Sequence, residues 1–108
     1  MDIQREDGFS MISPKGKLDT ITAPTFTKEL TSLLEEQPNV CIVDLSGVSF
    51  LSSSGLQSLL SGAKTSQQKG IKYGVSGMNT MVKDVFMLSG FNNFIHYFEN
   101  VEEAVAGL

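Results

Sequence analysis

The chain has 108 residues, of which 41% are hydrophobic and 19% are charged, so its composition is that of a folded globular domain and excludes a disordered chain. The net charge is −4 and the eight lysines and arginines are scattered, which argues against nucleic-acid binding because phosphates need a basic patch. No apolar run approaches the roughly 20 residues that a membrane-spanning helix requires.

A chain of this length is typical of one domain, and we expect residues 1–108 to fold as a unit. The charged residues 1–7 contain no signal-peptide core, which favours a cytoplasmic location. Cys41 is the only cysteine and lies in an apolar run, so we expect an inert core residue and no internal disulfide. His96 has no second cysteine or histidine at metal-ligand spacing, so we expect it on a partly exposed strand and expect no metal site.

The chain opens with a predicted hairpin. Residues 3–6 are weakly strand-like, Asp7-Gly8 is a hairpin turn signal, and residues 9–12 are predicted as the returning strand. Residues 18–22 are predicted as a loop that leads to the first helix.

The first helix is predicted from its start signals and its apolar face. Thr22 is a candidate N-cap, and Pro24 falls in the first turn, where its missing N–H costs nothing. Pro38-Asn39 ends the helix. The residues spaced along one face are Phe26, Leu30, Leu33 and Leu34.

The most informative stretch is a buried strand followed by a serine-headed helix. Residues 40–43 are continuously apolar and predict a strand buried on both faces, and residues 44–51 predict a turn-rich connection. Asp44 is expected to accept hydrogen bonds from loop N–H groups at the strand end. Ser52–Gly55 then precedes an amphipathic helix that Gly70 terminates. The helix stripe is Leu56, Leu59, Leu60 and Ala63.

The last third of the chain repeats the alternation of strand and helix. Residues 71–75 alternate as in a half-buried strand, residues 81–88 predict a third helix, and residues 94–98 predict a short final strand. Asn100 and Glu103 resemble a capping box that begins a last helix.

The predicted order is β, β, α, β, α, β, α, β, α. Strands that alternate with helices favour right-handed crossovers, so we expect an α/β fold with a mixed, mostly parallel sheet of four to five strands and about four helices. Binding sites in such sheets lie beyond the carboxyl ends of the strands, where residues 44–54 are expected.

Three short motifs resemble one known family. Residues 44–56, Asp-Leu-Ser-Gly-Val-Ser-Phe-Leu-Ser-Ser-Ser-Gly-Leu, resemble the signature of bacterial anti-sigma factor antagonists, which are free-standing STAS domains. Gly16–Asp19 resembles the family's Gly-x-Leu/Phe-Asp motif, and Met87–Phe91 resembles the end of its third helix. The motifs occur at matching spacing along nearly the whole chain.

The resemblance implies a partner-switching regulator of transcription. In that family the unphosphorylated antagonist binds an anti-sigma factor, which is also a serine kinase of the histidine-kinase-like ATPase fold, and the sigma factor is released. The kinase then phosphorylates a serine, and a serine phosphatase restores the binding form. By this resemblance the chain is a kinase substrate and not an enzyme, and it needs no cofactor.

The resemblance places the phosphorylated serine at Ser53, with Ser54 and then Ser52 ranked after it. Gly55 is expected to leave the helix start uncovered and accessible to a kinase. Asp19 has two interpretations that stay open, a loop stabiliser or a partner contact. The predicted recognition surface is Leu18, Asp19, Thr20, Ser52, Ser53, Ser54, Gly55, Leu56 and Gln57.

One departure from the family pattern keeps an alternative open. The family usually has Asp where this chain has Ser52, which can cap the helix but supplies no carboxylate. The alternative is therefore an unswitched STAS subunit of a sensory complex or a lipid-transport system. A serine hydrolase is disfavoured, because His96 is the only candidate base and no Gly-x-Ser-x-Gly elbow occurs.

Overall fold

The computed structural model describes residues 1–108 and contains seven strands and four α-helices. No helix combines the length and apolar character needed to cross a membrane. The strands are β1 (Asp2–Glu6), β2 (Phe9–Ser13), β3 (Gly16–Leu18), β4 (Val40–Asp44), β5 (Val48–Leu51), β6 (Lys72–Ser76) and β7 (His96–Phe98). The helices are α1 (Ala23–Glu35), α2 (Ser53–Lys69), α3 (Thr80–Leu88) and α4 (Val101–Gly107).

The main sheet has five strands in the order β1-β2-β4-β6-β7. Only the opening hairpin, β1 with β2, is antiparallel, and the other neighbours are parallel. The predicted α/β class, the mostly parallel sheet and the four helices are confirmed. The carboxyl ends of β4 and β6 therefore meet at one edge of the sheet, and α2 begins near that edge.

Helices cover both faces of this sheet. On β6, the Tyr73 hydroxyl donates to the carbonyl of Leu59 in α2 at 3.0 Å. The next residue, Gly74, points to the other face, where a Cβ atom would lie 3.1 Å from the Leu108 side chain just after α4. Helix α2 thus packs on one face of β6 and α4 on the other, so β6 is buried at every position after Lys72 and is not the half-buried strand predicted for residues 71–75.

Two short strands were missed by the prediction. β3 and β5 form a separate two-stranded parallel sheet in which Leu18 lies opposite Leu51. The predicted loop over residues 18–22 therefore begins inside a strand, and the predicted connection over residues 44–51 contains one. Both segments are only three or four residues long and each pairs only with the other, so neither shows a strand pattern of its own.

Helix α1 begins where expected, but the capping hydrogen bond predicted for the Thr22 side chain is not formed. Thr22 occupies the N-cap position but makes no side-chain capping bond. Its hydroxyl instead donates to the Lys17 carbonyl at 2.7 Å. The Thr22 side chain therefore ties the helix start back to β3.

The caps of α2 and α4 are confirmed. Gly70 adopts the left-handed conformation with φ of 72° at the end of α2. Asn100 accepts from the Glu103 N–H at 2.9 Å, whereas the Glu103 carboxylate accepts from Glu99 N–H at 3.3 Å, one residue before the usual capping-box donor. The final strand is shorter than predicted, because Phe94 follows a 3₁₀ turn and is 72% exposed.

The prediction that Cys41 is an inert core residue is supported by its environment. Cys41 is fully buried in β4 and is not in a disulfide. Burial disfavours the thiolate and raises the pKa of the thiol to about 12. The side chain therefore acts as a small hydrophobic group.

Asn79 anchors α3 to the two-stranded sheet and provides a test of this part of the fold. Its Oδ1 accepts from Val82 N–H at 2.8 Å as an N-cap, and its Nδ2 donates to the Val48 carbonyl at 3.2 Å. We expect Asn79→Ala to lower the free energy of unfolding by about 1–2 kcal/mol, since it removes both bonds. Asn79→Ser keeps the cap alone, so urea unfolding should place it between Asn79→Ala and wild type. Equal stability of all three would contradict the anchor.

Candidate functional site

The start of α2 is fixed to β3 by the backbone. Ser52 is the N-cap, and its hydroxyl oxygen accepts from Gly55 N–H at 3.4 Å, which confirms the expected serine cap. The Ser52 N–H donates to the Leu18 carbonyl at 2.9 Å. The predicted juxtaposition of the helix start with the loop around Leu18 is therefore built from hydrogen bonds.

Gly55 has a different role from the one predicted. It is buried, and a Cβ atom there would lie 2.8 Å from the Leu18 carbonyl oxygen and 2.7 Å from the Leu51 Cδ1 atom. These separations are shorter than side-chain carbons tolerate. Gly55 therefore does not open the helix start to a kinase but lets α2 approach β3 and β5 closely.

The three serines differ in exposure. Ser53 is exposed, whereas Ser52 and Ser54 are half-buried. The Ser54 hydroxyl shares a hydrogen bond of 3.2 Å with the Thr20 hydroxyl. Gln57, one turn further along, is exposed. Ser53 is thus the most accessible hydroxyl of the run, and Ser54 links α2 to the loop after β3.

The loop after β3 is held by Asp19. Its Oδ1 atom accepts from Ile21 N–H at 3.0 Å and from Thr22 N–H at 3.1 Å. These bonds to the ionised form, first among them the one from the Thr22 backbone, lower the pKa of the Asp19 carboxyl. The loop-stabilising interpretation of Asp19 is therefore supported by geometry, and a partner contact stays a prediction.

The lowered pKa of Asp19 predicts a pH-dependent contribution to stability. Because the folded-state pKa lies below the unfolded value of about 3.9, the contribution is present above that value and is lost as the pH falls through the folded pKa. We expect Asp19→Asn, which keeps the acceptor oxygen but no charge, to be less stable than wild type at about pH 7, with a difference that shrinks on acidification. Urea unfolding at several pH values measures it. A difference that does not change with pH would contradict the charged role.

Some predicted surface residues are buried and some apolar neighbours were missed. Leu18 is 2% and Leu56 is 8% exposed, so their side chains position the site and offer no contact area. Ile21 is 85% exposed and Phe50 is 43% exposed, and both lie within three residues of predicted surface positions. The sequence signal for Ile21 was its position as an isolated apolar residue between Thr20 and Thr22.

A family model for the STAS domain matches residues 1–104. The chain belongs to the STAS domain family. This assignment confirms the resemblance drawn from the three motifs.

Two curated relatives and one solved structure illustrate the similarity. The anti-sigma-F factor antagonist RsfB of Mycobacterium tuberculosis is 29% identical over 104 residues, covering 94% of this chain and 83% of RsfB. An anti-sigma-B factor antagonist of Staphylococcus aureus is 25% identical over 97 residues, covering 90% of each chain. The crystal structure of an anti-sigma factor antagonist from Mycobacterium paratuberculosis matches with a TM-score of 0.87 at 26% identity, covering 97% of this chain and 89% of that one.

Two of the three STAS motifs meet at the site. Gly16–Asp19 forms β3 and the residue after it, and residues 44–56 form β5 and the helix start that pack on β3. The third motif, Met87–Phe91, lies at the end of α3. The contact of α3 with β5 is made at the other end of the helix, through its N-cap Asn79. The third motif is therefore a helix ending in this STAS domain, and Gly90 there adopts a φ of 79°.

The remaining polar candidates of the STAS domain have structural places. Asp44 accepts from Ser46 N–H at 3.1 Å, which confirms the prediction that it binds the loop at the strand end. His96 is an exposed residue at the beginning of β7, opposite Gly74 in the register. It therefore lies at the amino-terminal ends of the parallel strands, whereas Ser53 lies beyond their carboxyl ends. The structure does not bring the two together as a nucleophile and base.

Proposed function

We propose that this STAS domain, residues 1–108, is a cytoplasmic anti-sigma factor antagonist that is controlled by phosphorylation of Ser53. Unphosphorylated, it binds an anti-sigma factor that is also a serine kinase of the histidine-kinase-like ATPase fold, so a sigma factor is released. Phosphorylation ends the binding and a serine phosphatase restores it. The chain acts as a substrate and binding module and not as an enzyme. The observation that carries the proposal is an exposed Ser53 in the first turn of α2, held beside a fixed loop.

The helix start is compatible with a phosphate in the free protein. A phosphoserine adds about −1.5 to −2 charges at neutral pH. The N-terminus of a helix carries unpaired N–H groups and positive dipole potential, which favour an anion. The first turn of α2 contains no acidic residue that would repel it. Phosphorylation of Ser53 should therefore leave the fold intact.

The surroundings of Ser53 are suited to a partner that the phosphate would displace. Ile21 and Phe50 expose apolar surface on the two segments that flank α2. A partner that buries these side chains would pack closely around the neutral Ser53 hydroxyl. A doubly charged group at that position would be desolvated against the same surface, which costs binding free energy.

Ser52 supports a second candidate, an unswitched STAS subunit. In this chain Ser52 acts as a cap and carries no carboxylate that could orient the Ser53 hydroxyl or meet a kinase cation. Ser52→Asp separates the two candidates, since aspartate is also a good N-cap and the helix should begin at the same residue. Under the main proposal the variant is phosphorylated at Ser53 at least as fast as wild type. No phosphate on either protein would favour the unswitched subunit.

The identity of the partner is tested by affinity capture from a lysate of the source organism. Immobilised wild-type chain should retain an ATPase-fold anti-sigma factor, and addition of ATP should transfer phosphate to the chain. Ser32→Asp, on the exposed side of α1, is a control that adds charge far from the site and should retain the same protein. Retention of subunits of a sensory or transport complex, with no kinase among them, would overturn the proposal.

A further inference from the structure

A groove opens at the amino-terminal ends of the parallel strands, opposite the end of the sheet where Ser53 lies. It has a volume of about 630 Å³ and lies between the second half of α2, the beginnings of β6 and β7, and the residues at the end of α4. This volume is in the range of small-molecule sites. Leu60 and Ala63 contribute apolar wall, and Phe94, which is 72% exposed, stands among the lining residues.

Two lysines are the charged side chains of the groove. Lys64, Lys72 and His96 line it, and no aspartate or glutamate side chain does. Neither lysine is in an ion pair, since the salt bridges of the chain involve other residues. Leu108, the last residue of the sequence, also lines the groove, and its single terminal carboxylate is outnumbered by the two lysines, so the groove is basic beside an apolar wall in a chain with a net charge of −4. An anion with an apolar body complements both features.

A buried hydroxyl in the same wall has no hydrogen-bond partner. Ser66, on α2, lines the groove and is 1% exposed, and its Oγ atom makes no hydrogen bond. An unsatisfied buried polar group is costly, so such groups usually have a partner in the functional state of a protein. The Oγ atom is closed to solvent in the free protein, so an acceptor in the groove would reach it only after the Ser66 side chain rotates toward the groove.

We propose that this groove binds an amphipathic organic anion. Lys64, Lys72 and His96 hold the carboxylate, and Leu60, Ala63 and Phe94 contact the alkyl or aryl body. Ser66, once its side chain has rotated toward the groove, donates a hydrogen bond to the head group. The site is independent of the proposed phosphorylation switch, because its residues lie along the second half of α2 and at the beginnings of β6 and β7.

Titration of the ¹⁵N-labelled full chain with decanoate, followed by NMR, tests the proposal. We expect saturable shifts at the amides of the groove, including Ser66 and His96, and much weaker binding of decanol, which has the same body without the charge. The variant Lys64→Gln/Lys72→Gln should bind decanoate about twofold to thirtyfold more weakly, since it removes two exposed ion pairs. The control Lys17→Gln/Lys28→Gln removes two other lysines and should bind as wild type does.

Ser66→Ala supplies a second readout. The variant should weaken decanoate binding while leaving the urea midpoint of the free protein unchanged or higher, because the orphaned hydroxyl is gone. The proposal is overturned by shifts that do not saturate or that scatter over the surface. It is equally overturned by equal affinity for decanoate and decanol, or by an unchanged affinity in the Lys64→Gln/Lys72→Gln variant.

Discussion

Ser53→Asp is expected to lose about 5- to 150-fold in affinity for the anti-sigma factor, the range of a coupling of 1–3 kcal/mol. The carboxylate places a charge where a partner would pack around a neutral hydroxyl. Because Ser53 is exposed in the first turn of α2, the same charge is favourable in the free protein. The thermal midpoint should therefore equal or slightly exceed that of wild type. Calorimetric titration of the captured partner measures the affinity.

Two variants separate charge at Ser53 from other causes of lost binding. Ser53→Ala removes the hydroxyl without adding charge, so it should bind about as wild type does and should accept no phosphate at that position. Ser32→Asp adds the same charge on α1 and should bind normally. If Ser53→Asp binds as tightly as wild type, Ser53 has only a structural role at the start of α2, and the chain is an unswitched binding module.

Gly55→Ala is expected to destabilise the protein by about 1–3 kcal/mol, as overpacking of a filled site does. The added Cβ atom would lie 2.8 Å from the Leu18 carbonyl oxygen, and that oxygen also accepts from Ser52 N–H. A backbone carbonyl cannot move aside as a flexible side chain does. The start of α2 must therefore shift away from β3, so partner binding should fall together with stability.

A loss of stability in Gly55→Ala is opposite in sign to the usual effect of replacing glycine by alanine in a helix. At an open helical position, alanine is more favourable than glycine by up to about 1 kcal/mol. Urea unfolding of Gly55→Ala should show a loss, whereas a gain would show that the close approach of α2 to β3 does not exist. Gly47→Ala is the matched control, because its Cβ would lie 3.1 Å from Lys15 Cγ, a flexible and exposed side chain. It should stay within about 0.5 kcal/mol of wild type.

The main architecture was predictable because local patterns and connectivity agree. The apolar run at residues 40–43 specifies β4 on its own, and the apolar stripe with the terminator Gly70 specifies α2. Their alternation then implies parallel strands with helical crossovers. The position of the serines at the carboxyl edge of the sheet follows from that topology.

The two-stranded sheet could not be predicted in the same way. β3 and β5 are stabilised by each other and by the helix start, across about thirty residues of intervening chain. Lys17 and Phe50 are exposed members of these strands, so neither strand has a hydrophobic face along its whole length. Their pairing is a tertiary contact, supported by the close approach of Gly55 to Leu18 and Leu51.

The site was predicted in outline and corrected in its side chains. The sequence motifs placed Ser53, Asp19 and Thr20 together, but they could not distinguish residues that are exposed to a partner from residues that are buried beneath the site. Leu18 and Leu56 became buried because β3 and α2 share an interface. Ile21 was missed because its place between two threonines marks it as an isolated apolar residue, while its exposure depends on the direction of the loop.

The central claim is that phosphorylation of Ser53 controls partner binding. The direct measurement is to phosphorylate the wild-type chain with its captured kinase and ATP, locate the phosphate by mass spectrometry, and titrate the partner with the modified and unmodified proteins. The account predicts phosphate on Ser53, a folded product and an affinity at least about fivefold weaker. Phosphate on another residue, or equal affinities of the two forms, would contradict it.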